Sequence, residues 1–294
     1  MDKLIHGLAA DATVRVMAAI TTDMVREAVR RHRTSPTASV ALGRLMTGTL
    51  LLGSSLKEYD RLTVRIDAAG DVEGLVAEAL ADGSVRGYAR NPAADRPQRA
   101  DGSFDVPGIV GGGMLNVVRE TGFELGLRPE PYVGSVPIET GEIAEDIASY
   151  LLKSEQIPSA VMLGVTLQAE EPFVRHAGGV MIQMLPTANP NIAVMIEDTI
   201  LHAPNVTEAI RDGATPEDLI KLMLGVIDYE ILGQKDVRFQ CNCSFERAVN
   251  LIASLGKDEV RSMLAEDNGA TMTCGFCNEE YRLNEDDLRS ILEQ

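Results

Sequence analysis

The sequence predicts an α+β protein that ends in a small four-cysteine domain, and three observations carry that reading. Residues 62–67 alternate apolar and polar at period two, and two more strand-like runs, 75–80 and 85–89, flank the hairpin signal Asp82-Gly83. Residues 140–156 read as an amphipathic helix, with Ile143, Ile147, Tyr150 and Leu151 recurring at helical spacing. All four cysteines lie near the C-terminal end, as Cys241-x-Cys243 and Cys274-x-x-Cys277, a spacing that suits one zinc site held by four thiolates. The expected architecture is an N-terminal core domain mixing helices with an antiparallel sheet (1–186), a metastable helical linker (187–236) and a C-terminal zinc-binding domain (237–294).

A chain of 294 residues can hold a sizeable core and more than one domain, and 45% hydrophobic residues is ordinary for a globular protein. A formal net charge of −17 argues against nucleic acid as a partner, because phosphate binding needs a basic face. With no Trp and 4% aromatics, a base-stacking platform is not expected either. The first residues build no apolar signal-peptide core, and the weakly polar stretch 45–56 is too short to span a bilayer. The expectation is a cytoplasmic protein with no membrane association. In a reducing compartment, clustered cysteines point to metal binding or thiol chemistry rather than to a disulfide framework.

In chain order, residues 1–35 read as helical, with Met24, Val25, Ala28 and Val29 on one face of 23–33 and Arg26, Arg30, Arg31 and Arg33 around the other side. In so acidic a chain the arginines read as a solvated face. Residues 39–56 are apolar almost all round and read as a buried helix. The glycine-rich run 108–113 is a turn and not a phosphate loop, since no Lys-Ser/Thr follows it. Runs 160–168 and 180–185 read as strands around a Glu170-Glu171-Pro172 break. Beyond Leu185, Pro186, Asn189-Pro190, Pro204 and Thr215-Pro216 punctuate short segments, and the best helix is 216–223 with Thr215 as N-cap and Pro216 at its first position. Helices this short are marginal alone, so 187–236 reads as a connector that folds only by docking.

Residues 237–241 alternate like a strand, which would aim Cys241 and Cys243 at one metal, and Gly275 is expected to relax the backbone of the second pair. Ser244 caps a helix ended by Gly256, Asp267-Asn268-Gly269 turns the chain back, and Asn284 caps a last helix. Such a small domain has little core of its own, whereas a structural zinc ion contributes roughly 10–16 kcal/mol of apparent binding energy. Each cysteine pair could instead close on itself, but very short loops gain least from a disulfide. Spacing alone leaves open a structural zinc site without redox response and a thiol-disulfide oxidoreductase, although no βαβ pattern surrounds the C-x-x-C. His6, His32, His176 and His202 are far from the cysteines in sequence and read as surface or core residues. No hydrolytic triad, G-x-S-x-G or H-E-x-x-H is present, so no enzyme is expected and no catalytic residue or organic cofactor is assigned.

Phe239-x-Cys241-x-Cys243-Ser244 with Glu246-Arg247, then Cys274-x-Phe276-Cys277 with Tyr281, resembles the redox-regulated chaperone family known as the thirty-three-kilodalton heat-shock protein. The likeness continues through Arg61-Leu62-Thr63-Val64, Leu75-Val76-Ala77-Glu78, Val85-Arg86-Gly87-Tyr88, Asn91-Pro92, Gly141-Glu142-Ile143-Ala144-Glu145-Asp146 and Ser154-Glu155-Gln156-Ile157-Pro158-Ser159-Ala160. Arg282-Leu283 departs from the more aromatic continuation expected after Tyr281, which puts no ligand in doubt. The resemblance implies an ATP-independent holdase for unfolding client proteins. It implies that Cys241, Cys243, Cys274 and Cys277 bind zinc in a reduced, inactive, monomeric form. Oxidation would then form Cys241–Cys243 and Cys274–Cys277 disulfides, release zinc, unfold the linker and yield an active homodimer.

Overall fold

A sheet that is apolar on both faces organises the larger part of the molecule. The computed structural model describes residues 1–57, 60–122, 130–171 and 173–293 and divides into two compact units, Met1–Gln240 and Cys241–Gln294. The first unit runs β1 (Lys3–Ala9), β2 (Val14–Ile20), α1 (Thr22–His32), α2 (Pro36–Leu52), β3 (Arg61–Ala68), β4 (Leu75–Leu80), β5 (Ser84–Ala89), α3 (Val106–Val110), β6 (Gly113–Glu120) and β7 (Tyr132–Pro137). It continues through α4 (Ala144–Lys153), β8 (Ser159–Leu167), β9 (Val174–Met184), α5 (Pro190–His202), α6 (Val206–Arg211), α7 (Pro216–Leu224), β10 (Tyr229–Asp236) and β11 (Arg238–Phe239). One sheet has the order β10-β1-β2-β9-β8 and the other β11-β5-β4-β3-β6-β7, with every pairing antiparallel except β11–β5. This is the α+β class that the alternating runs predict.

Helix α2 lies between the sheets, against β4 and β5 on one side and β8 and β9 on the other, and is buried nearly all round, as its apolar composition requires. Close packing explains Gly43: a Cβ there would stand 2.8 Å from Val25 Cγ1 and 2.9 Å from Val165 Cγ2. Helix α4 is shorter than 140–156, because residues 139–143 turn around the buried Asp146. Its carboxylate accepts the backbone N–H groups of Glu139, Thr140, Gly141 and Ile143 at 2.9–3.2 Å. The 108–113 region holds the end of the short helix α3, capped by Asp105, and the chain turns at Gly111. Pro172 of the expected strand break lies outside the described residues.

Residues 3–20 correct the helical expectation for the N-terminus, being the strands β1 and β2. Leu4 packs with the α1–α2 side of their sheet while Ile5 packs with the opposite side, so apolar residues fall on both faces and Leu4, Ile5, Leu8 and Ala9 mimic helical spacing. The opposite face is covered by 187–236. Ile196 of α5, Val206 and Ile210 of α6, and Leu219, Ile220, Met223 and Leu224 of α7 form one buried cluster with Ile5, Val16, Ala18, Val180 and Ile182. Thr215 and Pro216 begin α7 as expected: Thr215 Oγ1 accepts the Asp218 N–H at 3.2 Å, and Asp218 Oδ2 accepts that of Thr215 at 3.0 Å. The segment also holds a strand that its sequence did not suggest, β10, which adds to the sheet edge beside β1.

Residues 237–240 are fastened within the first unit. Val237 donates its N–H to the Asp2 carbonyl at 3.2 Å, Arg238 pairs with Asp82, and the Arg31 guanidinium lies 5.5 Å from the Phe239 ring centroid. The second unit comprises α8 (Phe245–Ser254), α9 (Lys257–Glu266), β12 (Ala270–Thr273), β13 (Glu280–Leu283) and α10 (Glu285–Glu293). Its buried core is Ala248, Ile252, Val260, Leu283, Leu288 and Ile291. Among the described residues no helix is long and apolar enough to cross a membrane.

Candidate metal centre

The four cysteines come from two loops of the second unit. Cys241 and Cys243 lie in a segment without regular structure, which corrects the strand expectation, since β11 ends at Phe239. Ser244 caps α8 as its position suggests, its Oγ accepting the Arg247 N–H at 3.2 Å. The Arg247 side chain reaches back and donates to the Asn242 carbonyl at 2.6 Å, bracing the backbone between the two thiols.

Cys274 and Cys277 sit in the turn of the β12–β13 hairpin. Cys274 donates its N–H to the Glu279 carbonyl at 2.9 Å and accepts at its own carbonyl from Asn278 at 2.8 Å. The left-handed residue of this turn is Asn278, with φ of +55°, and not Gly275, where an added Cβ would meet open space. The glycine expectation is therefore corrected. Asn tolerates that conformation better than most residues, so Asn278 was the signal available in the sequence.

The four Sγ atoms all lie within 4.8 Å of one another, with Cys241–Cys274 at 3.8 Å and Cys243–Cys277 at 3.4 Å. These separations are far longer than a disulfide bond of about 2.05 Å. They approach the edge of a tetrahedron whose centre is bonded to sulfur at about 2.3 Å, an edge of about 3.8 Å. Among the described residues this is the cluster of side chains placed to hold a metal ion. His6, His32, His176 and His202 belong to the first unit and are no part of it.

Cys277 is 2% exposed and the other three are half-buried. Burial pushes the Cys243 thiol up and the Cys277 thiol far up. Thiolates in such a setting need a cation among them, which a divalent soft metal supplies. Tyr281 of β13 donates its hydroxyl to Cys243 Sγ at 3.0 Å, and that sulfur together with burial holds the phenol protonated far above its ordinary range. Tyr281 is part of the family motif, but no spacing rule joins it to a thiol 38 residues away along the chain.

Residues 2–284 match the family model of the Hsp33 protein. The chain is 41% identical over 292 residues to the 33 kDa chaperonin of Acetivibrio thermocellus, covering 99% of this chain and 97% of that protein. It is 42% identical over 296 residues to the 33 kDa chaperonin of Listeria monocytogenes, covering 100% and 99%. Its fold is similar to the crystal structure of the 33 kDa chaperonin (heat shock protein 33 homolog) from Thermotoga maritima, with a TM-score of 0.90 and 34% identity over 99% of this chain and 97% of that one. The likeness runs through the sheets, the helices that cover them and the cysteine loops, and on it the chain belongs to the Hsp33 protein family.

Proposed function

We propose that this chain is a redox-regulated, ATP-independent holdase that keeps unfolding client proteins from aggregating under oxidative stress in the cytoplasm. The observation that carries the reading is the four-thiol cluster in a unit with a very small core. In the reduced form Cys241, Cys243, Cys274 and Cys277 would hold Zn2+, whose chemistry is to keep the sulfurs ionised and to supply folding energy. Oxidation to Cys241–Cys243 and Cys274–Cys277 disulfides removes all four ligands and with them the zinc. The second unit then loses its main stabiliser, and its unfolding loosens the preceding chain through the peptide link at Gln240–Cys241.

On this reading 1–186 is the core, 187–236 the metastable linker and 237–294 the switch. The linker suits release, since α5 to α7 are short and cover Ile5, Val16, Ala18, Val180 and Ile182, each at most 2% exposed. Their uncovering would present an apolar face to clients and to a second copy, giving a homodimer when oxidised and a monomer when reduced. A thiol-disulfide oxidoreductase is disfavoured, because the C-x-x-C lies in the turn of a hairpin rather than at a helix N-terminus. The test is aggregation of a heat-denatured client mixed with zinc-loaded reduced protein or with peroxide-treated protein. Suppression by the oxidised form alone is expected, and equal suppression by both would remove the switch.

A further inference from the structure

One of the four sulfurs, that of Cys243, has a phenol as hydrogen-bond donor. Tyr281 projects from β13 with its ring packed against the core of Ala248, Ile252, Val260 and Leu283, and its hydroxyl donates to Cys243 Sγ at 3.0 Å. A hydrogen bond to a thiolate draws charge from the sulfur, which strengthens its hold in a fixed ligand geometry and lowers its nucleophilicity. Within the Cys241-x-Cys243 pair the bond is made to Cys243, whose sulfur also lies against the buried Cys277 at 3.4 Å.

We propose that Tyr281 is a positioning residue of the thiol switch, holding Cys243 in place and restraining its reaction with oxidant. The inference rests on the redox reading above. With a peroxide as oxidant, one thiolate of the pair attacks the O–O bond, forming a sulfenic acid and, with one proton, releasing water. The other thiolate then displaces hydroxide from that sulfur; the S–S bond forms, and the hydroxide takes a proton from solvent to leave as a second water. Two thiolates, one peroxide and two protons thus become one disulfide and two waters. Loss of the hydroxyl would speed the reaction of Cys243 while leaving the ring in its packing.

The test uses the full-length, zinc-loaded, reduced protein and its Tyr281→Phe variant. Iodoacetamide labelling of each cysteine is read by mass spectrometry, and peroxide-driven zinc release is read with a chromogenic chelator. A hydrogen bond of ordinary strength, about 1 kcal/mol, corresponds to a rise of about five-fold in the labelling of Cys243 relative to Cys241. Zinc release should quicken to a similar extent, with the far-UV circular dichroism unchanged. Tyr281→Leu, which removes the ring too, separates packing from hydroxyl: it should lower thermal stability where Tyr281→Phe does not. An unchanged labelling ratio in Tyr281→Phe, with peroxide still switching the wild type, overturns the role of Tyr281 alone. A changed ratio in a protein whose holdase activity ignores peroxide keeps Tyr281 as a thiol-positioning residue and overturns the switch.

Discussion

Asp2 shows how far one side chain can couple distant segments. It is 3% exposed; its carboxylate accepts the Met24 N–H at 2.7 Å at the start of α1, and its carbonyl accepts the N–H of Val237 just before β11. Thr21, at the N-cap of α1, makes no side-chain cap, so Asp2 serves that helix end from outside. Burial pushes its carboxyl up to about 6 from the usual 3.8, against the lowering effect of the backbone N–H groups. A carboxyl raised in the folded state favours folding fully below its unfolded value and loses that contribution as pH rises through about 6. The expected cost of ionisation at neutral pH is of the order of 2–3 kcal/mol. Asp2→Asn cannot ionise, so its stability relative to wild type should be greatest at pH 7 and should shrink as pH falls to 5, measured by urea denaturation of both proteins in parallel. A pH-independent difference would mean that Asp2 is ionised or neutral throughout. The cysteines were legible from sequence because their spacing is itself the chemistry. Asp2 was not, and Tyr281 stood out only as a member of the family motif, because their partners, Met24 and Val237, and Cys243, reach them only through the fold.

At the scale of elements, the connector after Leu185 was legible as a segment in need of a surface, and the face it covers explains what was misread. Because α5 to α7 bury the far face of the β1–β2–β9 sheet, those strands carry apolar residues on both sides, and period two vanishes from residues 3–9. Strand β10 escaped for the opposite reason. It lies at a sheet edge, mostly exposed, and carries Glu230, Gln234 and Lys235, the polar composition that keeps an edge from pairing with other chains. Strand β3 was plain because its burial alternates, β4 and β5 because they flank the Asp82-Gly83 turn, and helix α2 because it is buried nearly all round. Ile220 tests the docking. It is fully buried in the shared cluster, so Ile220→Ala should cost about 2–5 kcal/mol, most of it in the attachment of α7 to β1, β2 and β9. The reduced, zinc-loaded variant should be cleaved within 187–236 at a lower protease concentration and should suppress client aggregation without oxidant. Wild-type protease resistance would show that the linker is held by more than this cluster.

At the scale of the whole molecule, the two units differ in what keeps them folded. Met1–Gln240 has two extensive buried clusters, whereas the described residues of Cys241–Gln294 form one cluster of six buried apolar residues, too few to stabilise a domain of its size without a staple. Zinc at four thiolates contributes roughly 10–16 kcal/mol. The two disulfides proposed to replace it close loops so short that chain entropy returns only about 2 kcal/mol each. On the proposed reading the exchange would leave the second unit far below the stability it had, whichever disulfide forms first. The same comparison separates metal loss from oxidation. Removing zinc from reduced protein with a strong chelator, with no oxidant present, should abolish amide-exchange protection in α8, α9 and α10 and preserve it in α2, β3 and β4. Peroxide treatment should give the same pattern in the second unit and, in addition, should block its recovery when zinc is returned, until a thiol reductant is added. If the chelated protein keeps its protection in α8 to α10, the small core suffices by itself, and loss of the metal cannot be what unfolds the switch.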